Sequence, residues 1–358
     1  MSIHSSPQKE PVESAFSQKL SLGEGNTPLV RSRSIGPSLG IPNLFFKLEN
    51  LNPSGSYKDR FASRIINDMK ENGLKTCIAT SSGNTGAALA AYSAAAGLQC
   101  IILVVDGAPR AKLKQMQVYG AELVMIHDFG KSEQVTRQVA ESLRTLTERR
   151  GLPLPISAYK YCPTGMAGVE SIAHEIVNTL EEKIDVFVPA GGGGLTLAVA
   201  RGMLARSKKG KVHCVQPQGN DTMATSLRTG TAARAVSRST TAISGLQVAN
   251  IFDGNEVIDA CQQLGGTGYV VEDEAVFKWH RELAMKEGIF SEPAGAVALA
   301  GLAQAMRQGE INPERNYVCL ITGSGFKDLS TVDARFGLPD VNPVSTDEAM
   351  EKLRFMLA

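Results

Sequence analysis

Residues 76–106 read TCIATSSGNTGAALAAYSAAAGLQCIILVVD, and this stretch sets the fold class. TCIAT is a short apolar run of strand character, SSGNTG interrupts it with turn residues, the alanine-rich run continues as a helix, and CIILVVD is a second strand. That is one strand–helix–strand unit, and parallel strands joined by a right-handed helical crossover are its simplest solution. The pattern extends in both directions. CIILVVD (100–106) precedes the helix RAKLKQMQVYG, and ELVMIHD (122–128) precedes a long polar helix from about Ser132 to Arg149. After a break at 151–155, GVESIAHEIVNTLEE reads as one helix leading to the strand DVFVPA (185–190). A glycine run, the helix LTLAVARGMLAR and the strand KVHCVQP (211–217) follow. GYVVEDE, two helices (VFKWHRELAMKEG and AGAVALAGLAQAM) and the strand YVCLITG (317–323) complete the series, and TAARAVSRSTT (231–241) reads as a loop. The expected architecture is α/β, with two doubly wound open twisted sheets flanked by helices and a cleft between the two domains.

Composition agrees with this and removes several classes of function. At 358 residues, with 43% apolar and 20% charged residues, the chain can bury a large core and should form about two domains. Its net charge is +1, from 37 basic and 36 acidic residues, without a basic run that could track phosphates, so nucleic acid is not an expected partner. The longest apolar stretches are alanine-rich and shorter than the roughly 20 residues a membrane helix needs. The first residues, MSIHSSPQKEPVESAFSQK, lack the apolar centre of a signal peptide and read as a loosely ordered lead-in. Cys77, Cys100, Cys162, Cys214, Cys261 and Cys319 are scattered with no CxxC pair, several in strand-like runs, which fits thiols kept reduced in the cytoplasm. His4, His127, His174, His213 and His280 show no metal-ligand spacing, so no metal is expected.

Three strand-to-helix turns and one lysine carry the chemistry. In NPSGSYKDR (52–60), Pro53, Ser54, Gly55 and Ser56 break structure and an apolar helix-period run begins at Phe61, so Lys58 falls at a helix start. Unpaired N–H groups and aligned peptide dipoles make that position locally positive, which favours the neutral form of an amine. An amine held ready for attack on an aldehyde profits from this, whereas an ordinary surface lysine does not. Gly191, Gly192, Gly193 and Gly194 follow DVFVPA and precede a helix, the setting in which bare N–H groups hold a phosphate. Close helix-to-strand packing is the competing use of such a run. No GK[ST] follows it, and Thr196 occupies the place of the third glycine of GxGxxG, which argues against ATP and NAD. SSGNTG (81–86) offers hydroxyls and N–H groups at a helix start, suited to a carboxylate, although an ordinary capped turn would look the same. The third turn is TGSGFKD (322–328). At the carboxyl ends of parallel strands, all of these converge on one crevice.

NPSGSYKDR, SSGNTG, PAGGGG, EGIFSEPAGAVALAGL and TGSGFKD, in this order over nearly the whole chain, resemble the fold-type II pyridoxal-phosphate enzymes, the tryptophan synthase β-like group. GEGNTPLVR (23–31) and KLENLNPSGSYKDR bring the resemblance closest to the threonine synthase branch, within the wider set of serine/threonine dehydratases and cysteine synthases. The resemblance implies pyridoxal 5'-phosphate as cofactor, a small amino acid as substrate and a homodimer. It implies Lys58 as the Schiff-base lysine, Asn84 at the cofactor's 3-hydroxyl, the four glycines at its phosphate, and Thr322 against its ring nitrogen. Ser81, Ser82 and Thr85 would receive the substrate carboxylate. A hydroxyl at the ring nitrogen does not enforce protonation as a carboxylate would, which suits elimination of a leaving group. Expected domains are a lead-in at 1–18, a larger phosphate-binding domain from 19–50 and 165–358, and a smaller mobile domain from 51–164.

The departures from the threonine synthase pattern are specific. Where those enzymes commonly carry NPYRLEGQKT, this chain has CPTGMAGVES, with Cys162 for the asparagine, Gly165 for the arginine and Glu170 for the lysine. The tetraglycine replaces GNAGN, as in the dehydratases, and Ser324 stands where histidine is frequent. A γ-phosphate on the substrate would meet little positive charge there, with Lys160 the one candidate replacement. The expected reaction is therefore elimination or replacement at Cβ or Cγ of another small L-amino acid, with authentic threonine synthase or dehydratase chemistry, or a silent ligand-binding relative, as alternatives.

Overall fold

The computed structural model describes residues 19–357 except 109, 182, 207–209 and 338–341, so the expected lead-in at 1–18 lies outside the described residues. Among the described residues nine strands form two sheets: β1 (Leu29–Arg31), β2 (Leu44–Leu48), β3 (Thr76–Thr80), β4 (Gln99–Val104), β5 (Glu122–Met125), β6 (Ile184–Pro189), β7 (Gly210–Pro217), β8 (Gly268–Val271) and β9 (Asn316–Ile321). The larger sheet has the order β1-β2-β9-β6-β7-β8 and is parallel except for β1, which runs antiparallel to β2 at the edge. The smaller sheet, β3-β4-β5, is wholly parallel, with Cys77 opposite Cys100 in register.

The central strand β6 is buried along its whole length, as expected of a parallel strand covered on both faces. One face is covered by the helix Pro293–Arg307, whose alanines and glycines allow close approach; Gly301 lies against Val215 of β7, where an added Cβ would come within 2.6 Å of the valine side chain. The other face carries the helices Gly194–Arg206, Ser171–Thr179 and Gly254–Gln263. The small sheet is covered by Asn84–Ala96 and Arg110–Val118, and Lys58–Glu71 packs between Asn84–Ala96 and Pro163–Val169, so it bridges the two halves of the molecule. All six cysteines are free and buried. Among the described residues no helix is long and apolar enough to cross a membrane.

The strands and helices follow the sequence pattern, and residues 231–241 carry no helix or strand. Several features differ. β1 and β2 add two strands, and Ala224–Thr229, Gly254–Gln263 and Leu329–Phe336 three helices, that short, irregular patterning did not announce. The helix expected over GVESIAHEIVNTLEE is found as Ser171–Thr179, preceded after a one-residue turn at Glu170 by a separate helix, Pro163–Val169, that overlaps only its first two residues. Pro163–Val169 is pressed onto Lys58–Glu71, where an added Cβ at Gly168 would fall 2.4 Å from the Arg60 carbonyl oxygen. Finally, a helix Thr346–Leu357 ends the described chain with none of its residues buried.

Beneath the start of Lys58–Glu71 lies a closed charge network. Arg60 donates to both oxygens of Glu49 at 2.7 and 2.8 Å and to both oxygens of Glu175, and Lys47 also donates to Glu175. The remaining capacity of Glu49 is taken by Thr27 and Asn52. Burial opposes ionisation of Glu175, but Arg60 and Lys47 bring its carboxyl down to about 2. A buried ion pair is tolerable when every lone pair is satisfied in this way.

Candidate active site

Lys58 is the first residue of its helix, as the sequence predicts, and the preceding loop is fastened from two sides. Ser54 donates its backbone N–H (2.9 Å) and hydroxyl (2.8 Å) to the buried Asp59 carboxylate. Tyr57 donates its N–H to the Thr322 carbonyl at 3.1 Å, and Ser324 donates to the Gly55 carbonyl at 2.9 Å. Gly55 has φ +89°, a conformation that a side chain would strain. The loop is thereby zipped onto the TGSG turn after β9. Lys327 adds a third tie, donating to the Ser54 carbonyl (2.8 Å) and to Gln115 Oε1 (2.6 Å); burial lowers its pKa to about 8 against the opposing pull of Glu292 and Asp59.

Lys58 opens into a cavity of about 490 Å³ between the two sheets. Its lining includes Ser81, Ser82, Asn84, Thr85, Gly191, Gly192, Gly193, Gly194 and Thr322, so the turns converge as the strand-end rule requires. Lys58 Nζ donates to Ser157 Oγ at 2.6 Å and lies 4.5 Å from the centroid of the Tyr57 ring. At the turn after β3, Ser81 Oγ accepts from the N–H groups of Gly83 and Gly86, and Ser82 Oγ accepts from Val105. Both serine hydroxyls keep their protons for donation to a ligand.

The glycine run is confined on every side. An added Cβ would fall 2.9 Å from the Phe252 ring at Gly192 and 2.9 Å from the Ser157 carbonyl oxygen at Gly194, and Gly193 has φ +97°. Gln216 holds the turn from below. Its Oε1 accepts three successive N–H groups from Thr222, Met223 and Ala224, and its Nε2 donates to the Gly191 carbonyl. Asp253 holds it from the side, accepting from the N–H groups of Tyr159 and Lys160 while donating its own N–H to the Gly192 carbonyl.

Pyridoxal phosphate fits the polar groups that this arrangement leaves unsatisfied. Asn84 Oδ1 and Thr322 Oγ1 are buried without a partner, one suited to accept from a phenolic hydroxyl and the other to meet a ring nitrogen. The start of the helix Gly194–Arg206 supplies N–H groups without intrahelical partners for a phosphate. The amide nitrogen of Asn84 is taken by Glu292, to which it donates at 2.9 and 3.1 Å. Burial pushes the Glu292 carboxyl up, opposed by the charge of Lys112 and by the Asn84 amide. Gly193→Ala forces a side chain into the left-handed region within the cradle, and the expected result is cofactor affinity weakened about 10- to 100-fold, measured by fluorescence titration of the apoprotein.

Two readings of the sequence resolve differently. Lys160 is exposed and outside the cavity lining; Asp253 engages its backbone N–H, and its ammonium lies 5.7 Å from the Tyr161 ring centroid. Gly165 is buried and also outside the lining, and an added Cβ would fall 2.5 Å from the Phe61 ring, so this packing leaves no room for a long side chain. The cavity contains a cation that sequence reasoning passed over. Lys112 is 5% exposed, lines the cavity and donates to Ser244 Oγ at 2.9 Å. In RAKLKQMQ it looks like any lysine of a polar helix face. Ser157, Glu292, Gln216 and Asp253 were likewise missed, although Glu292 lies inside the quoted EGIFSEPAG segment.

A helix-borne lysine, a four-glycine turn at a helix start and a hydroxyl-rich turn meet at the ends of parallel strands, and the chain belongs to the pyridoxal-phosphate dependent enzyme family, which it matches over residues 20–323. It is a threonine synthase-like, pyridoxal-phosphate-dependent enzyme of the lyase or replacement type. It is 32% identical to the threonine synthase of Halalkalibacterium halodurans over 90% of this chain and 88% of that protein. It is 31% identical to the threonine synthase of Methanocaldococcus jannaschii over 87% of this chain and 77% of that protein. Among solved structures, the processed form of threonine deaminase isoform 2 from Solanum lycopersicum superposes with a TM-score of 0.73 at 25% identity, over 87% of this chain and 84% of that one. Maize serine racemase shares the fold, with a TM-score of 0.72 at 24% identity over 93% and 94% of the two chains.

Proposed function

We propose that the protein catalyses elimination or replacement on a small L-amino acid carrying a leaving group at Cβ or Cγ, with Lys58 as the catalytic lysine and the cytoplasm as its compartment. The observation that carries this reading is the meeting, in one cavity, of Lys58 with the Ser81–Ser82–Thr85 turn and the tetraglycine. Pyridoxal phosphate, when bound, supplies an electron sink for charge developing at the substrate Cα. The hydroxyls of Ser81, Ser82 and Thr85, with the N–H groups at the start of Asn84–Ala96, bind the substrate carboxylate and so fix which bond at Cα faces Lys58. Lys58 takes the Cα proton at Nζ and returns a proton to the departing group; Ser157 Oγ, 2.6 Å away, orients that amine. Glu292 and Thr322 are buried and Asn84 is half-buried, so the ring side of the site offers water little room.

The second reading is threonine synthesis from O-phosphohomoserine, favoured by the Halalkalibacterium and Methanocaldococcus relatives and by Lys112. A buried ammonium whose hydrogen-bond partner is a neutral hydroxyl can accept an anionic substituent such as phosphate. Lys112→Met separates the two. If the substrate carries phosphate, kcat/KM falls about 100-fold or more while the cofactor's visible band stays; a neutral leaving group predicts a change under about threefold. Phosphate release from O-phosphohomoserine against ammonia release from serine or threonine identifies the reaction directly. Turnover of none of these, with the cofactor bound, rejects the proposed substrate class.

A further inference from the structure

Asn84 carries a donor and an acceptor on one flat amide, and its surroundings decide which of them faces the cavity. Its Nδ2 donates to both carboxylate oxygens of Glu292, at 2.9 and 3.1 Å, and its Oδ1 is buried without a partner. Turned the other way, the amide would set Oδ1 against a carboxylate that can only accept, so ionised Glu292 admits one orientation. Glu292 is itself held in place. It is 3% exposed, donates its N–H to the Gly323 carbonyl at 2.9 Å, and precedes the helix Pro293–Arg307 without capping it through its side chain. Among the described residues its carboxylate bonds to Asn84 alone. A Cβ at Gly323 would fall 2.7 Å from Glu292 Cδ and 3.2 Å from Asn84 Nδ2, so the two side chains meet only across a glycine. Burial raises the Glu292 carboxyl; Lys112, the Asn84 amide and Lys327 oppose this, and Asp328 reinforces it.

We propose that Glu292 is a positioning residue: it holds Asn84 as a hydrogen-bond acceptor toward the cofactor's 3-hydroxyl and so keeps that oxygen protonated. This rests on the placement of Asn84 beside the 3-hydroxyl, which its unpartnered Oδ1 supports. An unconstrained asparagine meets such an oxygen in either of two ways, with Oδ1 accepting from the hydroxyl or Nδ2 donating to the phenolate. A hydrogen bond made to one protonation state favours that state, so the face of the amide selects the form of the ring oxygen. With the carboxylate in place, only acceptance is open. Thr322 Oγ1, also buried without a partner, offers the ring nitrogen a neutral hydroxyl. Two neutral contacts leave the ring a moderate electron sink, in keeping with elimination of a leaving group.

The test is the absorption spectrum of the cofactor-loaded enzyme without substrate, at about pH 8, well above the ordinary carboxylate range. The hydroxyl form absorbs in the near ultraviolet and the phenolate form in the visible, so the ratio of the two bands reads the ring oxygen. Glu292→Gln keeps the size of the side chain but can donate to Asn84 Oδ1, which frees the amide to turn. The visible band should gain at least about threefold over the near-ultraviolet band, with circular dichroism unchanged. Gly323→Ala, which displaces Glu292 while retaining its charge, should shift the ratio in the same direction. Asn84→Ala should also change the ratio, and adding Glu292→Gln to it should alter the ratio by less than about 1.5-fold, because Glu292 acts through Asn84. A ratio unchanged in Glu292→Gln but changed in Asn84→Ala would overturn the role of Glu292 and leave the placement of Asn84 standing. Spectra unchanged in both would overturn the placement as well. An equal effect of Glu292→Gln with and without Asn84 would assign it to the charge of Glu292 itself and overturn the positioning role.

Discussion

Lys58→Ala is expected to reduce turnover by at least ~10³-fold and to remove the visible absorption of the bound cofactor, because the proposed mechanism uses one side chain as both covalent anchor and proton carrier. The fold should survive. Lys58 Nζ makes its hydrogen bond to Ser157 within the cavity, and the helix start is held by groups other than Lys58: Ser54 on Asp59 and Tyr57 on Thr322. Circular dichroism and the unfolding midpoint should therefore stay near wild type while activity is lost. Retained turnover with retained colour would remove Lys58 from the chemistry.

The largest effect on stability is expected from Arg60→Leu. The substitution strands Glu49, which is 0% exposed, and removes two of the hydrogen bonds holding Glu175. Breaking one side of a buried ion network costs roughly 3–5 kcal/mol, against at most about 1 for an exposed pair, and urea titration distinguishes these outcomes. The pH dependence has a definite sign. Because the Glu175 pKa is depressed to about 2, its contribution is fully present above its ordinary value of 4.5 and is lost as pH falls through about 2. Wild type should lose stability on acidification across that window, and Arg60→Leu should show a flatter profile.

These two residues lie two positions apart in NPSGSYKDR, and they illustrate what sequence can and cannot reveal. The place of Lys58 at a helix start on the cavity wall was legible because a cation there runs against the local dipole and stands beside residues that break structure. The glycine run, SSGNTG and Thr322 were legible because parallel strands deliver their following turns to a common edge. Arg60 was not, since its role rests on Glu49 and Glu175, the second of which lies 115 residues away. Lys112, Ser157 and Glu292 are of the same kind, polar residues in unremarkable local settings whose partners come from distant segments. Gly165 was noted only as a missing arginine, and the structure gives the substitution a physical reason in its contact with Phe61.

The central claim is that Lys58 carries the cofactor, and chemical trapping tests it most directly. The enzyme is reconstituted with pyridoxal phosphate, the imine is reduced with borohydride, and the labelled peptide is mapped by mass spectrometry. The account predicts one stoichiometric label on Lys58 within NPSGSYKDR. Label on Lys112 or Lys327, two buried lysines near the cleft, or no stable label on any lysine would contradict it.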